Sequence, residues 1–161
     1  MTGLTNKALR MLPTFVMALV CVFVCGETAA ARHVALVTAK DGPVRVVKAA
    51  DLAKMIKTTR KWPDGSDLTI VLTDPSSPEM RIVAEKLLSL TSGEFRKLIA
   101  AANKTRLTFW VVSSDDEALK ILQSNPSAVG LVNIYSINGS VNVVKIDGKL
   151  PLEPGYILHN Q

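Results

Sequence analysis

Two hydrophobic periods alternate along the chain. Short β-rich apolar runs occur at His33–Thr38 (HVALVT), Pro43–Val47 (PVRVV), Leu68–Leu72 (LTIVL), Arg106–Val112 (RLTFWVV), Ala128–Ile134 (AVGLVNI) and Val141–Ile146 (VNVVKI). Their length and β-branched content predict strands. Between them the apolar positions fall three and four apart. Leu52, Met55 and Ile56 predict a helix over Asp51–Lys57, and Met80, Val83, Ala84, Leu87 and Leu88 predict one over about Pro78–Leu90. Thr91–Glu94 (TSGE) and Ser114–Glu117 (SDDE) have the spacing of capping boxes. They open further helices through Phe95, Leu98 and Ile99, and through Leu119 and Leu122, the latter ending at Asn125-Pro126. Turns fall at Asp41-Gly42, Pro63-Asp64-Gly65, Asn138-Gly139 and Asp147-Gly148. The tail from Leu150 carries prolines and reads as surface chain. Strands alternating with helices predict one layered α/β domain, without an internal repeat.

The first thirty-one positions stand apart. Lys7 and Arg10 precede an apolar stretch, Met11–Val24, and Ala29-Ala30-Ala31 follows. This is the order of a secretory signal peptide cleaved after Ala31, and the apolar stretch is short for a membrane span. A retained anchor is the alternative. Cys21 and Cys25 lie in this leader, so Arg32–Gln161 has no cysteine and no disulfide. The whole chain carries a formal charge of +5; removal of Lys7, Arg10 and Glu27 lowers it by one. The remaining charge is mild and scattered in sequence, with few aromatics interleaved. Nucleic acid is therefore not an expected partner.

Little in the sequence supports catalysis. His33 and His159 lie near opposite ends of Arg32–Gln161, with no metal-ligand spacing and no cysteine beside them. No P-loop, dinucleotide fingerprint or GxSxG elbow occurs. Asp115, Asp116 and Glu117 fall in the first turn of a helix, where carboxylates complement the dipole. A non-enzyme without cofactor or metal is the expectation. One helix start has more chemical interest. In TDPSSPEMRIV, Ser76 and Ser77 stand where free N–H groups and a partial positive charge can hold an anion, with Arg81 one turn in. The same residues also suit plain capping. Ser76 with Glu79 fits a capping box, and Ser77 fits an N-cap with Pro78 in the first helical position. Trp62 reads as a packing residue at the entry to a strand, in preference to an exposed partner anchor.

Two segments resemble the phosphate-binding substrate-binding proteins of ABC transporters. DLAKMIKTTRKWPDGSDLTIVL resembles their helix ending in IF-x-G-K-x-x-x-W-x-D-G with a strand after it. SSDDEALKILQSNPSAVGLVNI resembles their S-x-x-E-x-L-x-x-V-x-x-x-P-x-A-I-G-Y, and VKIDG fits their closing segment. The resemblance runs from about Val34 to Gly148. It implies a three-layer α/β periplasmic-binding-protein-like fold of type 2, as a single lobe or a reduced two-lobe domain over 32–161. It also implies a periplasmic location and capture of phosphate or a similar small oxyanion for an ABC permease or another envelope protein. Ser76 and Ser77 match in part the positions where relatives carry S-G-T. The expected ligand-binding set joins Ser76, Ser77 and, from the helix start, Arg81 to Thr38 and Lys40, which would face the serines across a cleft at the carboxyl end of the first strand. The sequence departs from the family where it lacks the arginine after Leu72 and the glycine and threonine of S-G-T. Leu131 stands in place of a tyrosine, and Met55-Ile56-Lys57-Thr58 in place of F-x-G. These losses favour a second expectation: a degenerate binding-protein fold acting as an accessory or sensory protein-interaction module.

Overall fold

The computed structural model describes residues 32–159. The leader and its cleavage site after Ala31 lie outside the described residues. The β-rich runs form strands β1 (Val34–Ala39), β2 (Val46–Val47), β3 (Thr69–Leu72), β4 (Phe109–Val111), β5 (Ala128–Asn133), β6 (Val141–Val143) and β7 (Lys145–Ile146). The helices are α1 (Ala49–Lys54), α2 (Pro78–Ile82), α3 (Ser92–Thr105) and α4 (Asp115–Ser124). Five strands make one sheet in the order β4-β3-β5-β1-β6, and β2 and β7 make a second, two-stranded one. β3 runs parallel to both β4 and β5, whereas β1 is antiparallel to β5 and β6.

Strand alternation divides the core between two faces. Val34 and Leu36 of β1, Ile70 and Leu72 of β3, and Val129 and Leu131 of β5 pack with α1, α2 and α3. Ala35, Val37, Val71, Ala128 and Val132 pack with α4 through Ala118, Leu119 and Leu122. The result is three layers, as expected, with helices on both faces of the large sheet. Gly130 lets α4 approach closely, since a Cβ there would stand 2.6 Å from Leu122 Cδ1 and 3.2 Å from Val37 Cγ2. Among the described residues no helix is long and apolar enough to cross a membrane.

The structure corrects several local expectations. Both α1 and α2 widen into π-helical turns, Met55–Thr59 and Val83–Leu87. Lys57 Nζ donates to the Leu88 carbonyl at 2.9 Å and ties the two widened ends together. VNVVKI is two strands, because Val144 donates to the Leu36 carbonyl and then passes to the small sheet. Arg106–Val112 shortens to β4, because Asn103 takes up the Thr108 and Phe109 N–H groups where the strand would begin. The tail is surface chain only in part, with residues 152–155 exposed. Tyr156 and Leu158 are buried in the core, and the Leu158 carbonyl accepts from Val34 N–H at 2.9 Å, since the first strand needs a cover at its start.

Candidate functional site

The loops that follow β3, β4 and β5 lie where an open α/β sheet presents its ligand site. After β3, Asp74 Oδ1 accepts from the Ser76 N–H at 2.8 Å, and the Asp74 carbonyl accepts from the Ser77 N–H at 2.9 Å. Ser77 is the N-cap of α2 and its Oγ accepts from Met80 N–H at 3.2 Å, with Pro78 in the first turn. The second of the two capping alternatives is therefore formed. Glu79 turns instead toward Arg32, at 3.9 Å. After β4, Ser113 gives its N–H and its hydroxyl to Glu117 Oε2, at 2.9 and 2.7 Å. Those bonds, the hydroxyl's first, hold the Glu117 carboxyl below its ordinary range. Ser114 caps α4 alone, accepting from Glu117 N–H, so the expected reciprocal box is shifted one residue back. Beyond β5, Asp115 Oδ2 accepts from Asn133 N–H at 3.1 Å and from Ser136 Oγ at 2.7 Å. At this end of the sheet the chain's own carboxylates thus occupy donors that an oxyanion would use, and they repel further negative charge.

The structure does not bring the five predicted residues together. Because β1 is antiparallel to β5, its carboxyl end lies at the opposite end of the sheet from Ser76 and Ser77. Thr38 is level with Val129, and through it with Ile70. Two residues on, Lys40 is separated from the end of β3 at Leu72 by roughly 13 Å along the strands. Thr38 is buried, its Oγ1 donates to the Ala128 carbonyl at 3.4 Å, and Gly42 packs over it. The Lys40 carbonyl accepts from Arg45 Nη2 at 3.1 Å and from Asn142 Nδ2. Arg81 is exposed on α2. Only Ser76, Ser77 and Arg81 share one neighbourhood.

A different concavity opens elsewhere. A groove of about 930 Å³ runs between the Pro43–Lys48 segment, one face of α1 and the Lys61–Gly65 loop. Val46, Met55, Trp62 and Pro63 give it apolar lining. Arg45, Lys48, Lys54 and Lys61 bring four cations to it, against one carboxylate, Asp51. Trp62 packs as expected, buried and with its Nε1 donating to the Ser127 carbonyl at 3.3 Å. Sequence reasoning missed this groove by treating the charge as scattered, although Arg45, Lys48, Lys54 and Lys61 all lie between positions 45 and 61 with Asp51 the one carboxylate among them. That basic stretch, and the PDG turn beside Trp62, were the signals.

No family model matches the chain, and no curated protein matches it. Solved structures do. PstS from Borrelia burgdorferi superposes with a TM-score of 0.62 at 14% identity, covering 81% of this chain and 55% of that one. An ABC-type phosphate transport receptor from Vibrio cholerae gives 0.59 at 19% identity, covering 80% and 54%. A Clostridium perfringens protein described as a phosphate ABC transporter substrate-binding protein, solved with bound phosphate, gives 0.59 at 17% identity, covering 73% and 46%. The chain spans about half the length of these structures, and its fold is that of one part of a phosphate ABC transporter substrate-binding protein.

Proposed function

We propose that this chain is a non-enzymatic binding module of the cell envelope that has kept a substrate-binding-protein fold and serves as an accessory or sensory partner for another protein. The observation that carries this reading is the state of the loop after β3. The Ser76 N–H is held by Asp74, and the Ser77 hydroxyl is held by the Met80 N–H. A phosphate entering there would have to displace a carboxylate and a helix cap, and no arginine follows Leu72 to draw it in.

A second reading has its own support. The fold is shared with a protein solved with bound phosphate, and Ser76, Ser77 and Arg81 remain at one helix start. In that reading the module captures phosphate or a similar small oxyanion for an ABC permease in the periplasm. Calorimetric titration of the purified chain with phosphate and with sulfate separates the two. The interaction-module reading expects no saturable heat and no rise in melting temperature at millimolar anion. Saturable phosphate heat that disappears in a Ser76→Ala, Ser77→Ala double variant would establish the capture reading in its place.

A further inference from the structure

β2 is an edge strand with one edge in use. Its parallel ladder to β7 takes the Arg45 and Val47 carbonyls, which accept from Lys145 N–H and Asp147 N–H, each at 2.9 Å. In a parallel ladder alternate residues bond to alternate sides. Val46 therefore turns its N–H and C=O away from β7, and among the described residues no turn, loop or cap bond reaches either. Its side chain is 58% exposed. Natural sheets usually cover or blunt such an edge. Here Val46 lines the groove instead, and α1 with Met55, and Trp62 in the following loop, form other parts of its lining.

The charges say what fits. Arg45 and Lys48 flank β2, Lys54 projects from α1 and Lys61 from the loop, with Asp51 the one carboxylate among the lining residues. Among the described residues Lys48, Lys54 and Lys61 are in no ion pair. A groove of about 930 Å³ is far larger than a tetrahedral oxyanion requires. An exposed strand edge beside such a groove suits strand addition, in which main-chain bonds supply affinity and flanking pockets supply specificity.

We infer that an extended acidic segment of a partner protein docks in this groove and adds to the free edge of β2, bonding to the Val46 N–H and C=O while its carboxylates meet Lys48, Lys54 and Lys61. The inference deepens the interaction-module reading by naming the partner's chemistry.

The probe is a fluorescein-labelled peptide of about eight residues, roughly strand length, alternating Val and Glu, with its Val/Lys counterpart as control. Fluorescence anisotropy with the full chain should saturate for the acidic peptide only. Binding should weaken by about tenfold or more between about 50 and 300 mM salt, as exposed charge pairs are screened. Val46→Pro removes only an N–H that the ladder to β7 does not use, and edge strands tolerate proline. It should weaken binding about tenfold, the loss of one hydrogen bond with its neighbours. Hydrogen exchange at the Val46 amide of the unaltered chain should slow when peptide is added, a readout independent of whether the variant folds. Lys54→Glu with Lys61→Glu should reverse the preference between the two peptides.

Equal binding of both peptides, or unchanged Val46 exchange in the bound state, overturns strand addition while leaving the interaction-module reading standing. Absence of acidic-peptide binding together with saturable phosphate heat overturns both. A dimer in sedimentation whose formation Val46→Pro abolishes assigns the edge to a second copy and overturns the acidic partner.

Discussion

Thr38 shows how a single residue changes meaning once its neighbours are known. In sequence it ends an apolar run before a turn, a usual place for a ligand hydroxyl. In the fold its Oγ1 lies under Gly42, where an added Cβ would come within 2.1 Å of it and 3.0 Å of the Ala39 carbonyl. Gly42 is thus required by space rather than by backbone conformation. Gly42→Ala should destabilise the protein by about 1–3 kcal/mol, the usual range for overpacking a buried site. Thr38→Ala should restore part of that loss in the double variant, because it removes the hydroxyl the new methyl strikes. Urea denaturation of the four chains measures this. Strict additivity would show that the two residues do not press on each other. Nothing in TAKDG reveals this contact, since it depends on how the turn folds back over β1.

The elements were partly legible and their joints were not. Thr91 and Glu94 form the box their spacing predicts, with Thr91 N–H to Glu94 Oε2 at 2.8 Å and Glu94 N–H to Thr91 Oγ1 at 3.3 Å. Capping is local chemistry, so local sequence carries it. The π turns at the ends of α1 and α2 have ordinary helical spacing in sequence. They arise where the helix ends meet, and Lys57 joins them. The junction of α3 with β4 is similar. Asn103, which in sequence begins an N-x-T sequon, accepts from Thr108 N–H at 3.0 Å and Phe109 N–H at 2.9 Å, and donates to the Phe109 carbonyl at 2.8 Å. Its amide makes three bonds to the backbone at the start of β4. Asn103→Ala leaves buried backbone groups unpaired and should cost about 2–4 kcal/mol. Asn103→Asp keeps the two accepted bonds and should cost less. Thermal melts rank the two variants, and the reverse order would refute the bridging role.

At the scale of the whole molecule, the tail closes the core. Tyr156 is buried, and among the described residues its hydroxyl finds no partner of normal hydrogen-bond geometry. Burial pushes the phenol above its ordinary value of 10.0, while the Leu36 backbone pulls weakly the other way. The folded chain therefore keeps this proton to higher pH than the unfolded chain does. Above about pH 10 the unfolded state loses the proton first, so stability falls as pH rises. Urea midpoints between about pH 8 and 11 should decline in the native sequence. Tyr156→Phe should flatten that decline. An equal slope in the variant would mean that other groups, such as the lysines, set the alkaline limit. The same scale governs charge. Arg45, Lys48, Lys54 and Lys61 lie close in sequence on β2, α1 and the Trp62 loop, and the packing of these three segments sets them around one groove.

The sequence by itself determined the periods, the Thr91–Glu94 box, the turns, the layered α/β class and the resemblance to phosphate-binding proteins. Each of these is written in spacings of a few residues or in the order of such spacings. The tertiary structure alone decided the direction of β1 beside β5, which separates Thr38 and Lys40 from Ser76 and Ser77. It also decided the burial of Tyr156 and the exposure of the β2 edge. Strand direction, register and edge accessibility follow from which distant segments pair, and pairing is settled by burial summed over the whole core rather than by any local run of residues.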